Sequence, residues 1–254
     1  MADNTTYQQT SQRVFGLIGY PLSHSFSRQY FTEKFKREGR ENHYYEAFSI
    51  PSIENLPAVL ATPGLEGLNV TIPYKEQVLA YLDEMDDRVR QIGACNCIHI
   101  KDGKLIGYNT DALGFETSLK EQLQPHHNKA LIFGTGGAAK AVRFVLDHLG
   151  IEYSSVSRKP SFNSLSYEQI TPDLLAGYPL LINTTPLGMY PNTTEAVPIP
   201  YEAITDRHYL YDLVYNPATS LFLQKGKEKG AIIKNGYDML VLQAEESWRI
   251  WMTK

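Results

Sequence analysis

Gly134-Thr135-Gly136-Gly137-Ala138-Ala139 follows the apolar run Leu131-Ile132-Phe133 and precedes the helix-favouring stretch Lys140 to Leu149. This places a G-x-G-x-x-A spacing at a strand-to-helix turn. Glycines there let the backbone turn sharply and approach a pyrophosphate, while the helix N-terminus supplies unpaired N–H groups and the positive end of its dipole. The chemistry in view is dinucleotide binding; without its flanking elements, the same spacing would be only a tight turn. At the end of the next strand, an Asp or Glu usually accepts hydrogen bonds from a ribose 2′-hydroxyl, but this chain has Ser157-Arg158-Lys159. Two cations suit a 2′-phosphate and favour NADP over NAD, with a solvated basic loop as the alternative.

A second polar set lies at Asn69-Val70-Thr71-Ile72-Pro73-Tyr74-Lys75, at the end of an apolar strand pattern. Thr-x-Pro-x-Lys reads as a helix start with Pro near its first position and Lys75 as a first-turn cation. A cation opposes the helix dipole there, and that mismatch hints at function. Asn109-Thr110-Asp111 precedes another helix and by itself reads more readily as a turn than as a catalytic set. Cys95 and Cys97 are the only cysteines. As i, i+2 residues of a strand they project in parallel, about 6 to 7 Å apart, which is poor disulfide geometry. With His99 they make a Cys-x-Cys-x-His set that lacks a fourth zinc ligand, so no metal is expected and small buried hydrophobes are the plainer reading.

The elements that must position these residues alternate along all 254 residues. Strands are expected at 14–19, 44–48, 67–71, 130–133, 153–156, 180–183, 209–214 and 231–234. Helices are expected at 28–38, 53–60, 75–92, 113–123, 220–229 and 237–252. Cys95 to Ile100 and Lys104 to Tyr108 flank Asp102-Gly103, a pair that tolerates positive φ, and so form a hairpin. Alternation of this kind builds α/β folds around largely parallel sheets. Length and a 43% hydrophobic content favour two domains that fold unaided. The 24 Lys+Arg against 28 Asp+Glu lack the basic excess that a nucleic-acid partner requires. Met1 to Arg13 is polar, without the basic start and apolar run of a secretion signal, and no segment reaches the apolar length of a membrane span. A cytoplasmic protein without a membrane partner is expected.

Eight short segments carry a resemblance, in order along nearly the whole chain. They are His24-Ser25-Phe26-Ser27, Asn69 to Lys75, Gly93-Ala94-Cys95-Asn96, Gly107-Tyr108-Asn109-Thr110-Asp111, the glycine turn, Asn183-Thr184-Thr185-Pro186-Leu187-Gly188-Met189, Asp212-Leu213-Val214-Tyr215-Asn216-Pro217, and Asn235-Gly236-Tyr237-Asp238-Met239-Leu240 ending at Gln243. Together they resemble the shikimate dehydrogenase family. The resemblance implies a split α/β substrate domain, residues 1–112 with 236–254, plus a Rossmann-like dinucleotide-binding domain, 113–235, with the active site in the cleft. It further implies reversible reduction of 3-dehydroshikimate to shikimate with NADPH, on the route to chorismate and the aromatic amino acids, by a monomer or homodimer.

Carried over position by position, Lys75 and Asp111 are the catalytic pair. Ser25 and Ser27, with Tyr215, bind the substrate carboxylate, and Asn69, Thr71, Lys75, Asn96, Asp111 and Gln243 serve the rest of the substrate. The cofactor falls to Gly134, Gly136, Gly137, Ala138, Ser157, Arg158, Lys159, Thr184, Thr185, Leu213 and Gly236. Hydride addition builds negative charge on a ketone oxygen, and a lysine supplies the proton there and removes it in reverse. Taken singly, Ser25 or Ser27 reads as an N-cap, Tyr215 as a core aromatic and Gln243 as a solvated helix residue. Arg28 stands where the family has proline, Cys95 and Cys97 where it has Val and Thr, and Ser157 and Lys159 where Asn and Thr are common. An NAD-using quinate or shikimate dehydrogenase and a non-catalytic NADPH-binding regulator are the competing readings.

Overall fold

The structure is a computed structural model that describes residues 12–22, 26–159 and 164–253. In chain order its strands are β1 (Arg13–Gly19), β2 (His43–Ser49), β3 (Leu65–Val70), β4 (Glu84–Met85), β5 (Cys97–Lys101), β6 (Lys104–Tyr108), β7 (Lys129–Phe133), β8 (Glu152–Val156), β9 (Ser164–Leu165), β10 (Leu180–Asn183), β11 (Tyr209–Asp212) and β12 (Ile232–Lys234). Its helices are α1 (Phe26–Arg37), α2 (Leu56–Leu60), α3 (Asp87–Ile92), α4 (Thr110–Lys120), α5 (Gly137–His148), α6 (Pro172–Ala176), α7 (Leu221–Glu228) and α8 (Tyr237–Trp251). Among the described residues no helix is long and apolar enough to cross a membrane.

The chain divides into two compact units. The first takes Met1–Arg90, Cys95–Tyr108 and Arg249–Lys254; the second takes Gln91–Ala94 and Asn109–Trp248. This division groups most of α8 with the second unit, whereas the expected partition gave residues 236–254 to the first.

The first unit is built on a mixed sheet ordered β2-β1-β3-β5-β6-β4. β1 runs parallel to β2 and β3, while β5 is antiparallel to β3 and β6. Period-2 alternation sends Val14, Ile18, Leu68, Val70 and Ile98 to one core face. Away from that cluster is an aromatic one, where Trp251 stacks on Phe15 at 5.0 Å and lies 5.4 Å from Phe31. The Trp251 indole N–H donates to the Ile98 carbonyl at 2.9 Å. Gly67 is required beside it, since a Cβ there would stand 2.3 Å from that indole nitrogen. The β5–β6 hairpin turns at Asp102 and Gly103 with φ of 52° and 77°, the double positive φ that an Asp-Gly pair accommodates.

The helix expected over 75–92 is not formed. Residues 72–76 are a turn, 77–81 a 3-10 segment, and only Asp87–Ile92 is α-helical. Sheet pairing overrides local periodicity: Glu84 and Met85 pair in parallel with Ile106 and Gly107, and the Asp83 and Asp86 amides donate to the carbonyls of Leu105 and Gly107. Lys75 is therefore not a first-turn helix residue, and no helix dipole opposes its charge.

The second unit has an all-parallel sheet ordered β12-β11-β10-β7-β8-β9. Counted from β7 this is the doubly wound order 3-2-1-4-5-6. Both faces are covered, as parallel sheets require. Ala130, Ile132, Ile182 and Tyr211 pack with residues of α4 and α5, while Leu131, Phe133, Leu181 and Leu210 pack with residues of α6 and α7. The short β9 and α6 have no clear sequence signal, because neither is long enough to show a period.

Candidate functional site

In the first unit, backbone bonds gather the polar residues around the end of β3. The Cys95 amide donates to the Lys75 carbonyl at 2.8 Å, the Val70 amide to the Asn96 carbonyl at 2.8 Å, and the Thr71 amide to the Ile18 carbonyl at 2.9 Å. Buried Tyr74 anchors the turn that carries Lys75 by donating its hydroxyl to the Ile50 carbonyl. Asn69 and Asn96 are both buried, and the Asn69 amide nitrogen donates to the Asn96 carbonyl at 3.3 Å. Lys75 and Thr71 are half-buried.

Tyr45, which the sequence reading does not single out, joins this set. Its hydroxyl donates to Asn69 Oδ1 at 2.8 Å, and burial pushes its pKa up against the partly compensating Ser27 hydroxyl. The available signal was its inward position in the β2 alternation. Ser27 is the second residue of α1, so it is not that helix's N-cap; Ser25 lies outside the described residues. Arg28 is exposed and lies 3.7 Å from Glu46, with both side chains about half exposed, a geometry worth little.

Cys95 and Cys97 are free and buried. The Cys95 thiol donates to the Cys97 carbonyl at 3.3 Å, and burial pushes its pKa up to about 12, so it serves as packing. Among the described residues no group of three or more His, Cys, Asp or Glu is placed to hold a metal ion.

In the second unit, Asn109 caps α4. Its side chain accepts from the Ala112 amide at 3.1 Å and donates to the Ala94 carbonyl at 2.9 Å. Asp111 then falls in the first turn, 7% exposed, where the helix dipole favours an acid. Gln243 on α8 is brought close to that turn: Thr110 Oγ1 lies 3.5 Å from Gln243 Oε1 and 3.3 Å from Ser247 Oγ. Gly114 permits the approach, because a Cβ there would meet the Met239 carbonyl at 2.6 Å. Thr110 stands inside a recognised segment, and the sequence reading gives it no role of its own. Tyr215 is half-buried, and desolvation raises its pKa.

The residues expected to bind a dinucleotide hang from the carboxyl ends of adjacent strands of this unit. The Gly134 amide donates to Val156 at the end of β8, and Thr184 donates its amide and hydroxyl to Phe133 at the end of β7, at 2.9 and 2.7 Å. Gly134 has φ of +112°, and a Cβ on it would lie 2.5 Å from Thr184 Oγ1, so only glycine fits. Gly136 is the N-cap of α5 without a side-chain cap, and no acid occupies the first turn formed by Gly137, Ala138 and their neighbours. A Cβ built on Gly136 meets nothing within 4 Å. This combination of open space, uncapped N–H groups and no competing carboxylate fits a pyrophosphate.

Arg158 and Lys159 are exposed beyond β8, where the Ser157 hydroxyl accepts from the Lys159 amide at 3.2 Å. On the other side of β10, a Cβ on Gly236 would stand 2.2 Å from the Leu213 carbonyl, so these two backbones touch. Lys75, Thr71, Asn69, Asn96 and Ser27 thus belong to one unit, and Asp111, Gln243, Tyr215 and every residue expected to bind the cofactor to the other.

Residues 17–98 match the model of the shikimate dehydrogenase substrate binding domain. The NADP(+) shikimate dehydrogenase of Clostridium beijerinckii is 40% identical over 93% of this chain and 91% of its own length. That of Methanocaldococcus jannaschii is 36% identical over 94% and 91%. The shikimate 5-dehydrogenase of Thermus thermophilus, solved with NADP(H) and shikimate, superposes with a TM-score of 0.83 at 32% identity, covering 95% of this chain and 94% of that one. With full-length kinship, a matching domain model and a shared fold, the chain belongs to the shikimate dehydrogenase family.

Proposed function

We propose that the chain catalyses the reversible reduction of 3-dehydroshikimate to shikimate with NADPH, as a cytoplasmic monomer or homodimer in aromatic amino acid biosynthesis. The observation that carries this reading is the glycine turn of the second unit, uncapped and open at Gly136, followed across the sheet by Arg158 and Lys159 with no acid after β8. An NAD-preferring enzyme would place a carboxylate there. Bound NADPH supplies a hydride to the ketone carbon.

Lys75 gives a proton to the oxygen on which charge builds, and takes it back in the reverse direction. Asp111 is assigned as the carboxylate that works with it. Ser25, Ser27 and Tyr215 hold the substrate carboxylate, and Asn69, Thr71, Asn96 and Gln243 the ring hydroxyls. Gly134, Gly136, Gly137 and Ala138 receive the pyrophosphate, and Ser157, Arg158 and Lys159 the 2′-phosphate. Thr184, Thr185, Leu213 and Gly236 line the remainder of the cofactor. The test is loss of NADPH absorbance with 3-dehydroshikimate, repeated with NADH and with 3-dehydroquinate. Turnover is expected with the first pair and far less with either replacement; no turnover with any pair would refute the assignment.

A further inference from the structure

Asn183 and Asp212 stand in two of the recognised segments, yet neither has a role in the chemistry above. They are the last residues of β10 and β11, directly opposite in the ladder, and both are fully buried. Asn183 Nδ2 donates to Asp212 Oδ1 at 2.9 Å, which fixes the amide so that Oδ1 faces the other way. That oxygen accepts from the Thr185 amide at 3.0 Å and the Thr185 hydroxyl at 2.6 Å. Asp212 Oδ1 also accepts from the Val214 amide at 3.0 Å, and Oδ2 accepts from the Ser220 hydroxyl, which caps α7. One carboxylate therefore holds both loops, 184–185 through Asn183 and 213–215 through Val214.

We propose that Asp212, acting through Asn183, is the positioning residue that holds the Thr184–Thr185 and Leu213–Tyr215 loops in the shape that binds NADPH, and that it does so only when ionised. This rests on the cofactor assignment above. An ionised carboxylate accepts from all three donors that converge on it, whereas a protonated one places a hydrogen among them. Burial raises Asp212 from 3.8 to about 6, partly offset by the three hydrogen bonds. The titratable group it faces is Tyr201, whose phenol is pushed up by burial and by this carboxylate; Lys225 lies over that ring at 4.5 Å. A raised carboxyl favours folding most below its unfolded value, and this contribution is lost as pH climbs through 6, so the charge at neutral pH opposes stability.

The experiment is NADPH titration of the whole protein, comparing wild type with Asp212→Asn and Asp212→Ala at pH 8 and pH 5. Asparagine is neutral and sets an N–H donor where the carboxylate has an acceptor for the Ser220 hydroxyl, as protonation does, so its Kd at pH 8 is expected about tenfold above wild type. The 2′-phosphate of the cofactor titrates in the same range, so the readout is the ratio of variant to wild-type Kd. That ratio is expected to fall about tenfold between pH 8 and pH 5, as the competent fraction of wild type shrinks. Asp212→Ala frees the Asn183 amide and is expected to raise the NADPH KM by about tenfold or more with a smaller effect on kcat. A ratio that stays flat with pH overturns the proposal, and so does a folded Asp212→Ala protein with normal NADPH affinity. If the alanine variant does not fold, the asparagine ratio decides. A wild type that binds no NADPH at either pH overturns the cofactor assignment as well, which separates the two failures.

Discussion

The two units organise their polar residues in opposite ways. In the second, the residues proposed to bind the dinucleotide sit at the carboxyl ends of neighbouring parallel strands, where βα geometry alone puts them at a switch in strand order. In the first, Asn69, Thr71, Lys75 and Asn96 are collected by a turn and a strand start held by specific backbone bonds to Cys95, Val70 and Ile18. One arrangement follows from topology and the other from local hydrogen bonding. The first unit's chemistry should accordingly be sensitive to single side chains, and the second's to backbone space and charge.

Substitutions can break this contrast. Lys75→Ala should lower kcat by about 10² to 10⁴ fold with a smaller change in KM, because proton transfer belongs to the transition state. A turnover near normal would remove Lys75 from the mechanism. Arg158→Ala should raise KM for NADPH by about 10 to 100 fold, the worth of a charge-assisted hydrogen bond, while leaving kinetics with NADH nearly unchanged. Equal losses with both cofactors would mark a folding defect. Gly134→Ala should destabilise the fold by about 1–3 kcal/mol in urea unfolding, since an L residue there carries both the φ of +112° and the clash with Thr184. An unchanged midpoint would show that the turn relaxes.

The smallest effect concerns acid. His127 and His208 are buried, and their Nδ1 atoms accept from the Gln124 and Thr205 amides at 2.9 and 3.0 Å, so both rings are held neutral. Burial lowers both, His127 to about 4. Folded protein then binds fewer protons than unfolded chain below about pH 6.5, so stability is complete above that value and falls as pH drops toward 4. Tm should decline over this window by about 2–4 °C per kcal/mol lost, and less steeply in His127→Gln. Parallel slopes would place the acid sensitivity elsewhere.

The same contrast explains what was legible in the sequence. The glycine turn, its flanking strand and helix, and the Asp102-Gly103 hairpin are local signals, and each element formed at its expected place within a few residues. The helix expected over 75–92 failed because pairing of Glu84 and Met85 with β6 is a non-local preference that an 18-residue hydrophobic pattern does not record. Tyr45 and Thr110 escaped for the same reason: their partners, Asn69 and Gln243, are distant in the chain. Asn96 and Gln243 were reached only through the ordered resemblance of short segments, never through spacing.

The most direct test follows the hydride itself. NADPH carrying deuterium at the transferable position of the nicotinamide is incubated with 3-dehydroshikimate, and the product is analysed by NMR. The expected product is shikimate with deuterium on the carbinol carbon formed from the ketone. Recovery of unchanged 3-dehydroshikimate, or of shikimate without deuterium at that carbon, would contradict hydride transfer by this chain.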